Sequence, residues 1–163
     1  MDEPRFTLRL AKGDFKFSAA HFTLFSATEA EPLHGHNYRV LVEIGGDELD
    51  PLGLLVETGI LKRRIREILT ELDDRVLLPE RSPLLEITVE RGQVDCRYAD
   101  RAYRFPEREV VLLPLVNVTM ELLARLVWRQ LAEDLDDVDA THLAVEIEET
   151  DGQSARYSAP LDL

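Results

Sequence analysis

The chain has 163 residues, 45% hydrophobic and 31% charged, with 8 Gly and 8 Pro; this fits a single packed domain over 1–163 and excludes collagen, low-complexity disorder and a disulfide scaffold. Acidic residues outnumber basic ones 32 to 19, a net charge of −13, so neither nucleic acid nor an anionic membrane is an expected partner. A small anionic substrate stays open, because local basic groups set the potential of a pocket.

The chain begins Met1-Asp2-Glu3-Pro4-Arg5, without the basic start and apolar stretch of a secretory leader, and no run approaches the ~18 apolar residues of a membrane span. A cytoplasmic location is expected. From 6 to 21 the sequence alternates as a strand, with Phe6, Leu8 and Leu10 in one phase and Phe15, Phe17, Ala19 and His21 in the other; Gly13 marks the phase switch. Residues 22–35 hold no clean period. Tyr38, Val40, Val42 and Ile44 then alternate up to Gly45-Gly46, which predicts a second, antiparallel strand. Leu61, Ile65, Ile68 and Leu72 follow helical spacing and predict a helix over 57–74.

Pro79 and Pro83 close that region, and segments 84–90, 93–98 and 102–105, with turns at Arg91-Gly92 and Ala99-Asp100, predict a small β-meander inserted over about 84–113. It holds Cys96, the only cysteine, so no internal disulfide is expected. Leu123, Val127 and Leu131, widened by Leu122 and Leu126, form the stripe of a second helix behind Thr119. Leu143, Val145 and Ile147 alternate as a strand, and 154–161 form its return after Asp151-Gly152. The order is ββα, meander, αββ, an α+β chain.

His34 and His36 share the parity of Tyr38, Val40 and Val42, so a period of two puts both imidazoles on one face. His21 ends the preceding strand in phase with Phe17 and Ala19. Three histidines converging on the buried side of two neighbouring strands suit a tetrahedral zinc site with an open fourth position. The same spacing also arises by chance, with each ring satisfied separately by backbone groups. Glu149 shares the phase of Val145 and Ile147 and points inward, where its two oxygens suit either a buried arginine or the paired N–H edge of an aminopyrimidinone.

Phe17-Ser18-Ala19-Ala20-His21, Leu33-His34-Gly35-His36-Asn37-Tyr38-Arg39-Val40, Asn117-Val118-Thr119-Met120-Glu121-Leu122-Leu123-Ala124 and Glu149-Thr150 occur in that order over nearly the whole chain outside the meander. In these blocks the chain resembles the 6-pyruvoyl tetrahydropterin synthase / 6-carboxy-tetrahydropterin synthase family. The resemblance implies the tunnelling fold: a four-stranded antiparallel sheet carrying two helices on one face, three such sheets closing a barrel, and two trimers stacking into a hexamer with active sites between subunits. It further implies His21, His34 and His36 as ligands of Zn2+, Glu149 as the anchor of a pterin ring, and Thr119 as a residue near the pterin, although Thr119 reads equally well as a helix cap.

The residues that would move protons depart from the family pattern. The cysteine common four or five residues before the first His of His-x-His is replaced by Ala30 and Glu29. Glu29 fits the variant Glu-x-x-x-x-His-Gly-His, whose members resemble enzymes that cleave the side chain to a 6-hydroxymethyl pterin. Glu29 is therefore the expected base, with Glu31 close enough to compete. The family's Leu-Asp-His is Leu72-Asp73-Asp74 here, so a proton relay would fall to the two carboxylates Asp73 and Asp74; a solvated acidic helix end is the plainer reading. His142 is a candidate replacement for the relay histidine. The function implied is a zinc-dependent pterin lyase acting on 7,8-dihydroneopterin triphosphate, with a catalytically silent zinc- and pterin-binding homologue as the alternative.

Overall fold

The structure, a computed structural model, describes residues 4–135 and 138–161. The 6–21 stretch forms two strands, β1 (Phe6–Leu10) and β2 (Lys16–His21). They lie in line, antiparallel to one edge of the long strand β3 (His34–Gly46), β1 against 42–46 and β2 against 34–39. The phase switch around Gly13 is a turn between them, closed by Phe15 N–H donating to the Lys12 carbonyl at 3.0 Å. It lets Leu10 on one side, and Phe15 and Phe17 on the other, face the same core.

Helix α1 (Thr58–Leu72) buries Leu61, Ile65, Ile68, Leu69 and Leu72. Helix α2 (Met120–Ala132) buries Leu123, Ala124, Val127, Trp128 and Leu131, and the Thr119 hydroxyl caps it by accepting the Leu122 N–H at 3.3 Å. Both helices pack on one face of the sheet, as expected, against Phe17, Tyr38, Val42 and Val145. In sequence order the remaining strands are β4 (Arg75–Pro79), β5 (Glu86–Glu90), β6 (Gln93–Tyr98), β7 (Arg101–Pro106), β8 (Val110–Leu113), β9 (His142–Thr150) and β10 (Gln153–Pro160).

Strand β9 runs antiparallel to the other edge of β3, and β10 is antiparallel to β9. These strands with β1 and β2 make the expected four-stranded antiparallel layer. The described sheet is larger and mixed, with seven strands: β4 adds parallel to β2, and β8 parallel to β4. Accordingly the meander is shorter than expected. Its own three-stranded sheet is β5–β6–β7, and 110–113 belong to the main sheet. The meander turns where the sequence places them: Arg91 and Gly92 take φ of 53° and 75°, and Ala99 takes 49°, the left-handed geometry of tight hairpins. A second apolar cluster of Phe22, Leu24, Leu78, Val94, Cys96 and Tyr98 packs the meander on the 22–33 loop. No helix among the described residues is long and apolar enough to cross a membrane.

Candidate metal centre

His21 is the last residue of β2 and His34 the first of β3, and the antiparallel register makes them direct cross-strand partners. His36 follows on the same face. The ring centroids lie 4.9 Å (His21 to His34), 5.5 Å (His21 to His36) and 4.6 Å (His34 to His36) apart. Glu149 comes in from β9, one residue past the Arg39–Glu148 pair that fixes the register against β3. One donor atom from each of His21, His34, His36 and Glu149 can be chosen so that all lie within 4.8 Å of one another.

Outer hydrogen bonds fix two of the three tautomers. His21 Nδ1 is 3.2 Å from the Val118 carbonyl, and His34 Nδ1 is 2.7 Å from the Pro32 carbonyl. A carbonyl only accepts, so each Nδ1 carries the proton and each Nε2 presents a lone pair, the arrangement that orients a metal-binding imidazole. Burial, reinforced by the neighbouring His34, pushes the His21 pKa below its ordinary value despite Val118 and Glu149. That favours the neutral, ligating form.

The fit to a metal can be tested on polar satisfaction. His21 Nε2 and His36 Nε2 are buried and have no hydrogen-bond partner among the described residues. Glu149 Oε1 lies 3.5 Å from the first and 2.5 Å from the second, yet the short contact lacks hydrogen-bond alignment. Two unpartnered buried nitrogens crowded beside one carboxylate oxygen are costly unless they share a cation. Three imidazoles converging beside a carboxylate form a group suited to zinc, with the Glu149 oxygen next to the ligating nitrogens.

The carboxylates expected to move protons separate in the structure. Glu29 is exposed, and its backbone forms the loop turn, its carbonyl accepting the Phe25 and Ser26 N–H groups. Glu31 is half-buried: its Oε2 accepts the Thr23 N–H at 3.0 Å and lies 3.8 Å from His34 Nε2. Burial raises the Glu31 pKa, but the Thr23 hydrogen bonds and the flanking histidines outweigh it and hold the carboxyl below its usual value. Asp73 and Asp74 are not members of the four-residue group. Asp73 Oδ1 accepts the Ser18 N–H at 2.7 Å, and the Asp74 N–H donates to the Ser18 carbonyl at 2.7 Å, with Asp74 at φ 55°. Together they dock the end of α1 on β2. Asp74, with His36, also lines an open groove of about 430 Å³. His142 is remote from this group, 2.7 Å from the Ser158 hydroxyl.

Tyr38 is a residue the sequence reading takes only as a core position. Its hydroxyl is buried without a partner among the described residues, and burial, Glu149 and Glu31 all push its pKa upward. The phenol keeps its proton on the same face as His36. The parity shared with the two histidines was the available signal.

The pattern of the 6-pyruvoyl tetrahydropterin synthase family matches residues 11–160. A protein of Methanocaldococcus jannaschii assigned as a 6-carboxy-5,6,7,8-tetrahydropterin synthase is 28% identical over 151 residues, 91% of this chain and 92% of its own. A Pyrococcus abyssi protein with the same assignment is 31% identical over 120 residues, 73% of this chain and 71% of its own. Among solved structures, the 6-pyruvoyl tetrahydropterin synthase of Plasmodium vivax is similar with a TM-score of 0.89 and 27% identity, covering 95% of this chain and 98% of that one. Variants of that enzyme, described as catalytic-residue mutants, replace a glutamate by cysteine or alanine.

Proposed function

The chain belongs to the 6-pyruvoyl tetrahydropterin synthase family of pterin-processing lyases, and from that premise we propose that it is a zinc enzyme acting on 7,8-dihydroneopterin triphosphate with Glu31 as its base. The observation that carries this reading is the half-buried Glu31 carboxylate 3.8 Å from His34 Nε2, at the rim of the three-histidine group. The P. vivax relative, described as having a catalytic glutamate, supports a carboxylate base as such, at Glu29 or at Glu31. Glu29, the base expected from spacing, is exposed. It becomes the control.

Zinc held by His21, His34 and His36 would polarise the side-chain oxygens of the substrate and acidify the adjacent C–H. Glu31 is ionised and accepts that proton. Loss of the proton sets up elimination of triphosphate, or cleavage of the side chain toward a 6-hydroxymethyl pterin. Glu149 accepts the N–H groups of the pterin edge, and Thr119, whose hydroxyl accepts the helix N–H, keeps a proton to donate to the ring. The return of a proton is assigned in this reading to Asp74, supported by its lining the groove shared with His36. Asp73 has a carboxylate oxygen committed to Ser18.

A hexamer of two stacked trimers accompanies this reading, supported by the edge positions of β10 and β8 in the described sheet, which leave backbone groups open for pairing. A cytoplasmic location belongs to the same proposal. The silent-binder alternative is favoured by one observation: Cys96, the only thiol, is buried in the meander cluster. Incubating zinc-loaded protein with dihydroneopterin triphosphate decides between them. Release of triphosphate or of a 6-substituted pterin product supports the enzyme, whereas tight binding with the substrate recovered intact establishes the silent homologue.

A further inference from the structure

The 22–33 loop carries Glu31 and is held in part by its own bonds: a bridge between Leu24 and Ala30, a turn in which the Glu29 carbonyl accepts from Phe25 and Ser26, and a Thr23–Glu31 pair in which the Glu31 N–H donates to the Thr23 carbonyl at 2.9 Å. Contacts from outside anchor it on both sides. On one side, Asn117 exchanges two hydrogen bonds with the Leu24 backbone, at 3.1 and 2.9 Å. On the other, the meander reaches in: Tyr98 hydroxyl donates to the Ser26 carbonyl at 2.7 Å, and Arg101 donates from Nη1 to the Glu31 carbonyl at 2.6 Å and from Nη2 to the Ala30 carbonyl at 3.0 Å. The Arg101 guanidinium lies 5.6 Å from the centroid of the Tyr98 ring, and Tyr98 is only 2% exposed.

The Glu31 carbonyl fixed by Arg101 belongs to the peptide leading into Pro32, whose ring restricts φ. The Pro32 carbonyl in turn accepts from His34 Nδ1. One guanidinium thus grips the backbone under the proposed base, at the two residues before Pro32, whose carbonyl contact reaches His34. Arg is suited to this because its planar fork spans two acceptors at once, which an ammonium does not do.

We propose that Arg101, supported by Tyr98, is a positioning residue: the inserted meander holds the carboxylate loop so that Glu31 faces the metal histidines. The inference rests on the proposed role of Glu31 for its kinetic part, and on loop geometry alone for the rest. Arg101→Ala is expected to lower kcat roughly 10- to 100-fold with the pterin KM little changed. The two effects should not be additive: in a Glu31→Gln background, Arg101→Ala costs little more, because the group it positions is already gone. Zinc affinity, measured against a chelator, should fall about tenfold through His34, and peptides covering 22–34 should exchange amide hydrogens faster while those of β9 do not.

Full additivity in the double variant, or wild-type kcat with unchanged exchange over 22–34, overturns the proposal. If Arg101→Ala fails to fold, Arg101→Lys carries the test, keeping the charge beside Tyr98 and losing the two-pronged grip; wild-type kcat and exchange in that variant overturn it equally. Should the wild-type protein turn over no dihydropterin, the Glu31 reading fails by itself. Zinc affinity and loop exchange of the Arg101 variants then still decide whether the meander positions the loop.

Discussion

Glu149→Gln is expected to separate substrate recognition from metal binding. The Glu149 side chain is 13% exposed and sits between His21 and His36, so a pterin N–H pair donating to it makes a charge-assisted contact largely out of water. Hydrogen bonds to a charged group are worth ~1.5–3 kcal/mol, and at 1.4 kcal/mol per factor of ten that is roughly a 10- to 150-fold loss of pterin affinity. The amide keeps the size and one acceptor oxygen but turns its other arm into a donor facing a donor, which places the expectation in the upper half of that range. Pterin fluorescence titration reads the loss, and chelator competition on the same sample reads zinc. Weakened pterin with retained zinc is the expected result. Unchanged pterin affinity would refute the anchor role, and loss of zinc would make Glu149 the fourth ligand.

His34→Ala and His36→Ala should each abolish stable zinc binding, because two remaining neutral ligands hold a divalent ion poorly; full zinc occupancy by metal analysis in both variants contradicts the site. Burial pushes the Cys96 thiol up to about 11, so it stays protonated across the neutral range. It should resist a disulfide reagent at pH 8 in the folded protein and react fully in denaturant, while rapid labelling of the native state would contradict the packing of the meander on the loop. Thr119→Ala removes the α2 cap and should cost about 1 kcal/mol of stability; a fall in pterin affinity alongside it supports the second role, and unchanged affinity reduces Thr119 to the cap.

The histidine group was legible because it depends on parity. Adjacent antiparallel strands whose apolar phases are clean leave His21, His34 and His36 no choice of face, and the same alternation turns Glu149 inward. Strands β4 and β8 carry no such signal. Val76-Leu77-Leu78 and Val110-Val111-Leu112-Leu113 are continuous apolar runs, the pattern of parallel strands covered on both faces, where alternation disappears. The choice between Glu29 and Glu31 was illegible for a different reason. In the proposed reading it turns on the loop backbone, whose Glu31 carbonyl accepts from Arg101 70 residues further along the chain, and no local period reports a contact of that separation. Asp73 and Asp74 read as chemistry in sequence because they stand where the family has its relay. In the folded chain the Asp73 carboxylate and the Asp74 N–H bond Ser18, while Asp74 lines the groove shared with His36.

The most direct measurement is the turnover of zinc-loaded Glu31→Ala beside zinc-loaded Glu29→Ala on dihydroneopterin triphosphate. Loss of a proton-transfer group costs roughly 100-fold or more, so Glu31→Ala should fall by at least that factor with zinc and pterin affinity intact, and Glu29→Ala should stay near wild type. The reverse pattern would put the base on the exposed residue and contradict the account.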